Sequence, residues 1–456
     1  MKIHGTLLLL TVGWGAVAFG AVYPWAYWPL AIACALLGIA GFRRSPSPIR
    51  SVPAAGGWLG VFAVGVLVQL APLPRQILLR VNASADAFLG QYYLAYALNP
   101  SAWHPLSIVP VATWVGLGLF TALALFLVGT SRALSRLDLE TIVRRLMLLA
   151  VALGLFGVVQ KALHGDDPGV PYLIYGFWRP REGGSPFGPF VNRNHFAGWM
   201  LMALPLVLGY GIGLFERVRP RRGGWGAWFR WLVASETGPL MLAALSVLAT
   251  GTALALTGSR SGIVSFAAAV VIMAAFVLRA VRRRSARLAA MALAGLLVVG
   301  AIAWAGSGAT IQRFSAAGRD LEGRFAGWRD TAHIIHEFPV FGTGLNTYGY
   351  AMLVYQTSDR RLFYREAHND YLQLIAEGGV LLTVPAALAL AMFARDVRRR
   401  FRDGADDPMT HWIRVGAVAG LGGIAIQSIM EFSLQMPGNA VLFTLVAAIA
   451  VHRPAR

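Results

Sequence analysis

The chain has 456 residues, of which 57% are hydrophobic and only 13% are charged, and it carries a formal net charge of +19. This composition excludes an ordinary soluble globular domain, in which about a quarter of the residues are charged. The single cysteine, Cys34, excludes a disulfide framework and a metal site built from several cysteines. We therefore expect an all-α membrane protein.

Apolar stretches long enough to form spanning helices recur along the whole chain, since such a helix needs about 20 mostly apolar residues. Twelve are predicted, at 5–21, 25–42, 57–73, 107–129, 142–162, 195–215, 239–257, 261–279, 288–306, 370–394, 411–430 and 437–451. The first is read as an uncleaved helix and not as a signal peptide, because eleven more follow it. The predicted fold is a polytopic helical bundle with about 12 transmembrane helices.

Four regions follow from this pattern. They are 1–194 with the N-terminal helices and two outer loops, 195–306 with the central helices and the turn at Arg260, 307–368 as a large outer loop, and 369–456 with the C-terminal helices.

The positive charges indicate the orientation of the bundle. With the N-terminus inside, 26 of the 40 basic residues lie in connections on the inner side. Lys and Arg are enriched in the cytoplasmic loops of membrane proteins, so the charge indicates topology, and no nucleic-acid partner is expected.

The outer loop at 307–368 contains an amphipathic stretch, Leu321 to Glu337, which predicts a helix lying along the outer interface. The loop has seven arginines against six acids, so an anion site in it must depend on position and not on bulk charge. His333, His336 and Glu337 resemble metal ligands weakly, but this spacing is more typical of the polar face of a helix, and no metal site is predicted.

Polar residues gather at the outer ends of the predicted helices. The candidates are Arg193, Asn194, His195, Arg260, Arg324, His368, Asn369 and Glu431. A pump or an alternating-access transporter would place such groups near the membrane midplane. Almost no ionisable residue is predicted there. Glu377 is the exception, and it is also explained as a packing residue. The arrangement favours an enzyme that handles an amphiphile with its head at the outer surface.

Two of these positions keep alternative interpretations. Arg260 lies in the short outer turn 257–262, against the usual distribution of positive charge, and either reaches to lipid headgroups or binds phosphate or pyrophosphate. At the start of the sixth predicted helix, Asn194 either caps the helix while Arg193 reaches to headgroups, or both contact a headgroup or sugar.

His368 precedes the tenth predicted helix, whose N-terminus is a favourable place for a phosphate oxygen. A histidine with nearby arginines suits the displacement of a phosphate leaving group. The imidazole can take a proton from an attacking hydroxyl, and guanidinium groups can neutralise the charge that grows on the departing oxygens.

These motifs resemble the O-antigen ligase and polymerase superfamily. The most specific is His368-Asn369 followed by nine residues and Gly379, and the turn Ser259-Arg260-Ser261-Gly262 is similar to the Ser-Arg-Gly turn of that family. Arg324 before Trp328, Pro339 and Gly342-x-Gly344 supports the similarity. The segments Phe190 to Gly198 and Glu431 to Asn439 extend it, so that it covers roughly 190 to 440. Ser261 before Gly262, and Leu382 where a small or hydroxyl residue is common, depart from the family pattern.

The resemblance implies a membrane glycosyltransferase that moves a glycan from undecaprenyl pyrophosphate to a hydroxyl acceptor, at the periplasmic face of a bacterial inner membrane. It implies that Arg260 and Arg324 hold the pyrophosphate, and that His368 activates the acceptor for inverting attack without metal or cofactor. Arg193, Asn194, His195, Asn369 and Glu431 are candidate substrate contacts.

The acceptor is left open between lipid A-core, for a ligase, and a second lipid-linked glycan, for a polymerase of O-antigen or exopolysaccharide repeat units. A protein acceptor is less expected, since the chain ends at Arg456 without a large outer domain. The alternative of a different class is a twelve-helix transporter or a flippase of lipid-linked glycans.

Overall fold

The protein is almost entirely helical in its computed structural model. The described residues are 2–44, 54–99, 101, 103–164, 172–180, 185–220, 224–280, 288, 291, 295, 300, 310–357, 360, 363–404 and 406–453. The helices of the first half are α1 (Lys2–Val17), α2 (Pro24–Arg44), α3 (Ala55–Leu70), α4 (Arg75–Val81), α5 (Ala83–Tyr92), α6 (Leu94–Ala97), α7 (Pro110–Leu134), α8 (Leu139–His164) and α9 (Arg193–Val218). Those of the second half are α10 (Trp225–Leu232), α11 (Gly238–Leu256), α12 (Arg260–Ala280), α13 (Thr310–Glu337), α14 (Tyr348–Tyr355), α15 (Asp370–Asp403), α16 (Pro408–Gln427) and α17 (Pro437–Ala450). Two short antiparallel strands, β1 (Pro72–Pro74) and β2 (Trp103–Pro105), also pair.

The expectation of an all-α protein with many membrane-spanning helices is confirmed in the described part of the chain. Eight helices there are long and apolar enough to cross a membrane, and α1, α3 and α17 are apolar but shorter. These eleven coincide with eleven of the predicted spans. The predicted span 288–306 lies, apart from isolated residues, outside the described residues, so the count of 12 stays a prediction.

The predicted outer segments carry structure of their own. The loop between α3 and α7 forms α4, α5, α6 and the strand pair. The predicted amphipathic helix is the last part of α13, which begins earlier, at Thr310. Ile334 of α13 and Phe338, which directly follows this helix, are buried with Tyr348 and Met352 of α14, so these two helices take part in a small separate core.

Glycines let α9 and α16 approach each other closely through the centre of the bundle. A Cβ atom on Gly209 would lie 2.2 Å from the Trp412 carbonyl oxygen, and one on Gly416 would lie 2.3 Å from that of Pro205. Small residues permit such backbone contact between helices in membranes, where close packing drives association. This contact brings the start of α9 beside the segment that follows α16.

A break in α15 joins this helix to the loop after α13. Gly379 has a φ of +51°, and the loop at 339–344 supplies hydrogen-bond partners to the broken turn. The amides of Val380 and Leu381 donate to the carbonyls of Pro339 and Val340, at 3.0 and 2.9 Å. The backbone polar groups that the break frees are thus satisfied by protein, as a bilayer requires. The loop and the start of α15 therefore form one unit.

Gly342 is expected to be essential for this joint. Its φ is +66°, and a Cβ there would lie 2.2 Å from the Glu377 carbonyl oxygen. Gly342→Ala should lower the free energy of unfolding by about 1–3 kcal/mol, through backbone strain and overpacking.

The matched control is Gly60→Ala inside α3, where an added Cβ has no neighbour within 4 Å. Because alanine favours helices over glycine, this variant should be neutral or slightly more stable. The measurement is thermal unfolding in detergent, and equal midpoints for the two variants would contradict the assignment.

Candidate active site

The carboxylate of Glu431, just after α16, is the meeting point of the candidate residues. Its Oε1 atom accepts hydrogen bonds from Asn194 Nδ2 at 2.8 Å and from Arg324 Nη2 at 2.8 Å, and the Ser261 hydroxyl lies 3.5 Å away. Its Oε2 atom lies 3.6 Å from His368 Nδ1. The Glu431 side chain is only 1% exposed, so in this arrangement its contacts are with protein groups.

The charge of Glu431 is maintained despite its burial. Burial by itself raises the pKa of the Glu431 carboxyl, but the nearby His368 ring and the Arg324 guanidinium outweigh burial, and the net pKa is lowered from its ordinary value. Glu431 is therefore ionised at neutral pH and provides a fixed negative charge between these two side chains.

His368 is held by its backbone and by an aromatic neighbour. It has a φ of +50° and directly precedes Asn369, whose side-chain oxygen caps α15 by accepting from the amides of Tyr371 and Leu372, each at 3.0 Å. The His368 ring packs edge to face on Phe432, with centroids 4.7 Å apart. Its side chain is 35% exposed, so one edge of the ring remains accessible to a substrate.

The start of α9 supports the same site from the other side. Asn192 caps this helix, since its side chain accepts from the Asn194 amide at 2.8 Å. Of the two interpretations of Asn194, helix capping is thus wrong, because Asn192 is the cap and Asn194 instead donates to Glu431. His195 is buried, packs edge to face on Phe432 with centroids 4.7 Å apart, and has no hydrogen-bond partner for its ring nitrogens among the described residues.

The turn between α11 and α12 lies beside this cluster and carries Arg260. The Ser259 hydroxyl accepts from the Gly262 amide at 3.2 Å and so caps α12. Arg260 is exposed and forms no hydrogen bond or ion pair with any residue that the structure describes. The Arg193 guanidinium approaches the same turn, 3.5 Å from where a Cβ of Gly258 would lie. This turn thus presents an exposed cation beside the Glu431 cluster.

Arg324 reaches the cluster from α13. One of its terminal nitrogens bonds to Glu431 and the other bonds to the Met430 carbonyl oxygen. One turn further along α13, the Trp328 indole donates to the Ala367 carbonyl at 2.9 Å. These two contacts fix α13 against the segment that carries His368, and the Arg324 side chain is still 23% exposed.

The structure therefore brings Asn194, Arg324, His368 and Glu431 into one cluster, with Arg260 and Arg193 at its edge. His195 and Asn369 lie close behind it and are buried. Sequence reasoning missed Phe432, Asn192 and the contact of Ser261. Phe432 could have been found from the sequence, because it directly follows Glu431 in the same outer turn.

A cavity of about 1010 Å³ lies beside His368, and we call it the α2–α7 cavity. One part is lined by apolar side chains of α2 and α7. They include Leu30, Ala31 and Cys34 of α2 and Leu119 and Leu123 of α7. The other end is polar and is lined by His195, His368, Asp370, Gln373, Glu377 and Gln435.

Glu377, the acid predicted near the membrane midplane, has a structural use. Its carboxylate accepts hydrogen bonds from the amides of Asn346 and Tyr348 at 2.7 and 3.1 Å, and from Gln373 Nε2 at 3.1 Å. It thereby holds the start of α14 against α15. This agrees with the packing interpretation of Glu377.

The weak metal pattern is not assembled in the described residues, where no three His, Cys, Asp or Glu side chains are placed to hold a metal ion together. Glu337 instead accepts a hydrogen bond from the Ser84 hydroxyl at 3.0 Å.

We expect the Arg324 and Glu431 pair to contribute more to stability than an exposed pair of similar geometry. A double-mutant cycle with Arg324→Ala and Glu431→Ala should give a coupling energy of about 1–3 kcal/mol, because the carboxylate is removed from water. The control pair, Arg217 and Glu140, is bidentate at 2.9 and 3.1 Å but 51% and 34% exposed, and should give about 0.2–1 kcal/mol.

The coupling should also depend on pH. Since the folded-state pKa of Glu431 lies below its ordinary value of 4.5, its stabilisation is present above that pH and is lost as the pH falls through the folded-state pKa. Repeating the cycle stepwise from neutral pH into the acid range measures this. Equal coupling for both pairs at neutral pH would contradict the central place of Glu431.

Comparison with known proteins adds one finding. Residues 244–387 match the family model described as O-antigen ligase. The matched part contains Arg260, Arg324 and His368, whereas Asn194 and Glu431 lie outside it. No curated protein sequence matches the chain. Residues 244–387, less than half of the chain, are thus similar to the O-antigen ligase family, and this similarity supports a relationship of the chain to the O-antigen ligase and polymerase superfamily.

Proposed function

We propose that the protein transfers a glycan from undecaprenyl pyrophosphate to a hydroxyl acceptor at the periplasmic face of a bacterial inner membrane. The acceptor oxygen attacks the anomeric carbon, the bond from that carbon to the phosphate oxygen breaks, and His368 takes the proton of the hydroxyl. Undecaprenyl pyrophosphate leaves, and the configuration at the anomeric carbon is inverted. The O-antigen ligase domain supports this reaction class.

The observation that carries the proposal is the pairing of His368 with Glu431. Nδ1 of His368 faces the ionised carboxylate at 3.6 Å, which favours the tautomer with the proton on Nδ1. The opposite nitrogen, Nε2, then has a free lone pair for the acceptor proton. Hydrogen bonds of catalytic groups are often long before substrate binds, so this distance suits a base that is positioned by a carboxylate.

The arginines supply the other half of the chemistry. Arg260 is exposed beside the cluster, and the Arg324 guanidinium has five N–H donors, of which its contacts with Glu431 and Met430 use only a part. Guanidinium groups match phosphate oxygens bidentately and would neutralise the charge that develops on the leaving pyrophosphate. In this proposal Glu431 is a positioning residue, because its buried carboxylate contacts His368 and Arg324 and acts on the substrate only through them.

We expect His368→Ala to reduce glycan transfer by about 100-fold or more, because general-base catalysis contributes that much. The assay uses purified protein in proteoliposomes with an undecaprenyl-pyrophosphate glycan. The control is His333→Ala, which removes an exposed histidine of α13. Full transfer by the His368 variant, with both variants folded, would overturn the assignment.

Lysine should not replace the arginines. Arg260→Lys and Arg324→Lys should each lower transfer about tenfold or more, because an ammonium group cannot reproduce a bidentate contact and a charged hydrogen bond contributes about 1.5–3 kcal/mol. Arg329→Lys, at an exposed position of α13, is the control and should keep normal activity. Unchanged transfer by both test variants would argue against a pyrophosphate at these residues.

The product of the same assay tests the function itself. A lengthened polyprenyl-linked glycan identifies a polymerase, and a glycosylated lipid A-core identifies a ligase. If the glycan only crosses the membrane and no new glycosidic bond forms, the protein is a transporter or flippase and the proposal fails.

A further inference from the structure

The last turns of α15 carry four arginines on one face of the helix, which we call the arginine stripe. They are Arg395, Arg398, Arg399 and Arg402, and their spacing of i, i+3, i+4 and i+7 places them on one side of an α-helix. All four are exposed, and none of them forms an ion pair with any residue that the structure describes. Four positive charges therefore lie side by side at the end of α15 that is opposite to His368.

The other face of the same turns is held against the bundle. Asp396 Oδ2 accepts a hydrogen bond at 2.7 Å from the backbone amide just before α3, and Arg400 Nε donates to the Val451 carbonyl at 3.0 Å. Phe401 packs on Phe276 of α12, with ring centroids 4.9 Å apart. These contacts fix the rotation of the helix end, so the arginine stripe faces away from the protein.

The arginine stripe continues an exposed apolar face of α15. Val384 is 47% exposed and Ala391 is also exposed. Val384, Ala391, Arg395 and Arg402 follow one another at intervals of seven, four and seven residues, which keeps them on the same face of the helix. Because α15 is long and apolar enough to cross a membrane, we expect acyl chains to cover this face and the arginines to begin where the acyl chains end.

A fifth arginine comes from the neighbouring end of α12. Arg279 is exposed, and its guanidinium carbon lies 5.9 Å from the centroid of the Phe276 ring, which also contacts Phe401. Arg398 is three residues before Phe401, so it lies on the flank of the arginine stripe that is nearer to α12. Two helix ends therefore contribute cations to the same part of the surface.

We propose that the arginine stripe, together with Arg279, binds the phosphate headgroups of anionic phospholipids whose acyl chains lie along the exposed apolar face of α15. Guanidinium groups match phosphate oxygens bidentately, and cations at a membrane surface attract anionic lipids. The apolar face favours a lipid over a soluble acidic partner or a nucleic acid, since only a lipid uses both the charge and the apolar surface. This inference does not depend on the proposed glycosyl transfer.

The binding test uses the intact protein, purified in a non-ionic detergent. Phosphatidylglycerol should raise the thermal unfolding midpoint in a saturable way, whereas phosphatidylcholine with the same acyl chains should not, because it has no net charge. Replacing all four arginines of the stripe by glutamine should weaken the apparent affinity for phosphatidylglycerol about tenfold or more, because each cation near the membrane surface contributes to binding. A high salt concentration should weaken the affinity of the unsubstituted protein as well.

The matched control removes four exposed arginines that the charge distribution predicts on the same side of the bundle. Its substitutions are Arg43→Gln, Arg144→Gln, Arg219→Gln and Arg230→Gln. Both variants lose four charges, so an equal loss of affinity would assign the effect to bulk charge and overturn the site. Unchanged affinity in the stripe variant would overturn it too. The same holds for equal stabilisation by soluble glycerol phosphate, since no acyl chain would then take part.

Photolabelling of the unsubstituted protein does not depend on the folding of a variant. Phosphatidylglycerol and phosphatidylcholine, each with a diazirine at the headgroup end of an acyl chain, are incorporated into separate nanodiscs. Mass spectrometry should find more label from phosphatidylglycerol than from phosphatidylcholine around Ala391. Both lipids should label the region of Leu245 equally, which is a 63% exposed position of α11. Equal labelling by the two lipids around Ala391 would contradict the proposal.

Discussion

The buried, ionised carboxylate of Glu431 is the group on which the outer end of the bundle depends. It bonds to Asn194, 237 positions away in the chain, and to Arg324, 107 positions away, and it lies 3.6 Å from His368. A carboxylate this deeply buried is costly unless cations and donors surround it. The cluster therefore forms only when α9, α13 and the start of α15 are assembled, which couples the folding of the bundle to the formation of the site.

Backbone geometry keeps these elements in place. Close contacts through Gly209 and Gly416 hold α9 against α16, and the break at Gly379 locks the loop after α13 onto α15. Gly379 belongs to the most specific motif of the chain, yet its role is conformational. The φ of +51° and the neighbouring carbonyl of Val340, 2.5 Å from where its Cβ would lie, exclude a side chain. The motif thus combines one chemical group, His368, with a glycine that shapes the helix behind it.

Phe432 gives the site a second kind of support. Its ring packs edge to face on those of His195 and His368, with centroids 4.7 Å from each, and so limits the rotation of the His368 ring. Under the proposed mechanism this arrangement has a purpose, because a base must present one nitrogen to the acceptor while the other faces Glu431. Glu431 and Phe432 are adjacent in the chain, so a single turn after α16 provides both the charge and the apolar surface that orient His368.

The sequence by itself determined the helical membrane class and eleven of the helix positions, and it named the candidate residues that the structure gathers around Glu431. Apolar length and charge distribution are local properties, and a helix in a bilayer satisfies its own backbone, so these features do not require the tertiary structure. Only the tertiary structure decided that Asn192 and not Asn194 caps α9, that Glu431 is buried among Asn194, Arg324 and His368, and that the α2–α7 cavity lies beside His368. The contacts of Glu431 with Asn194 and Arg324 join residues more than a hundred positions apart, which no local pattern encodes.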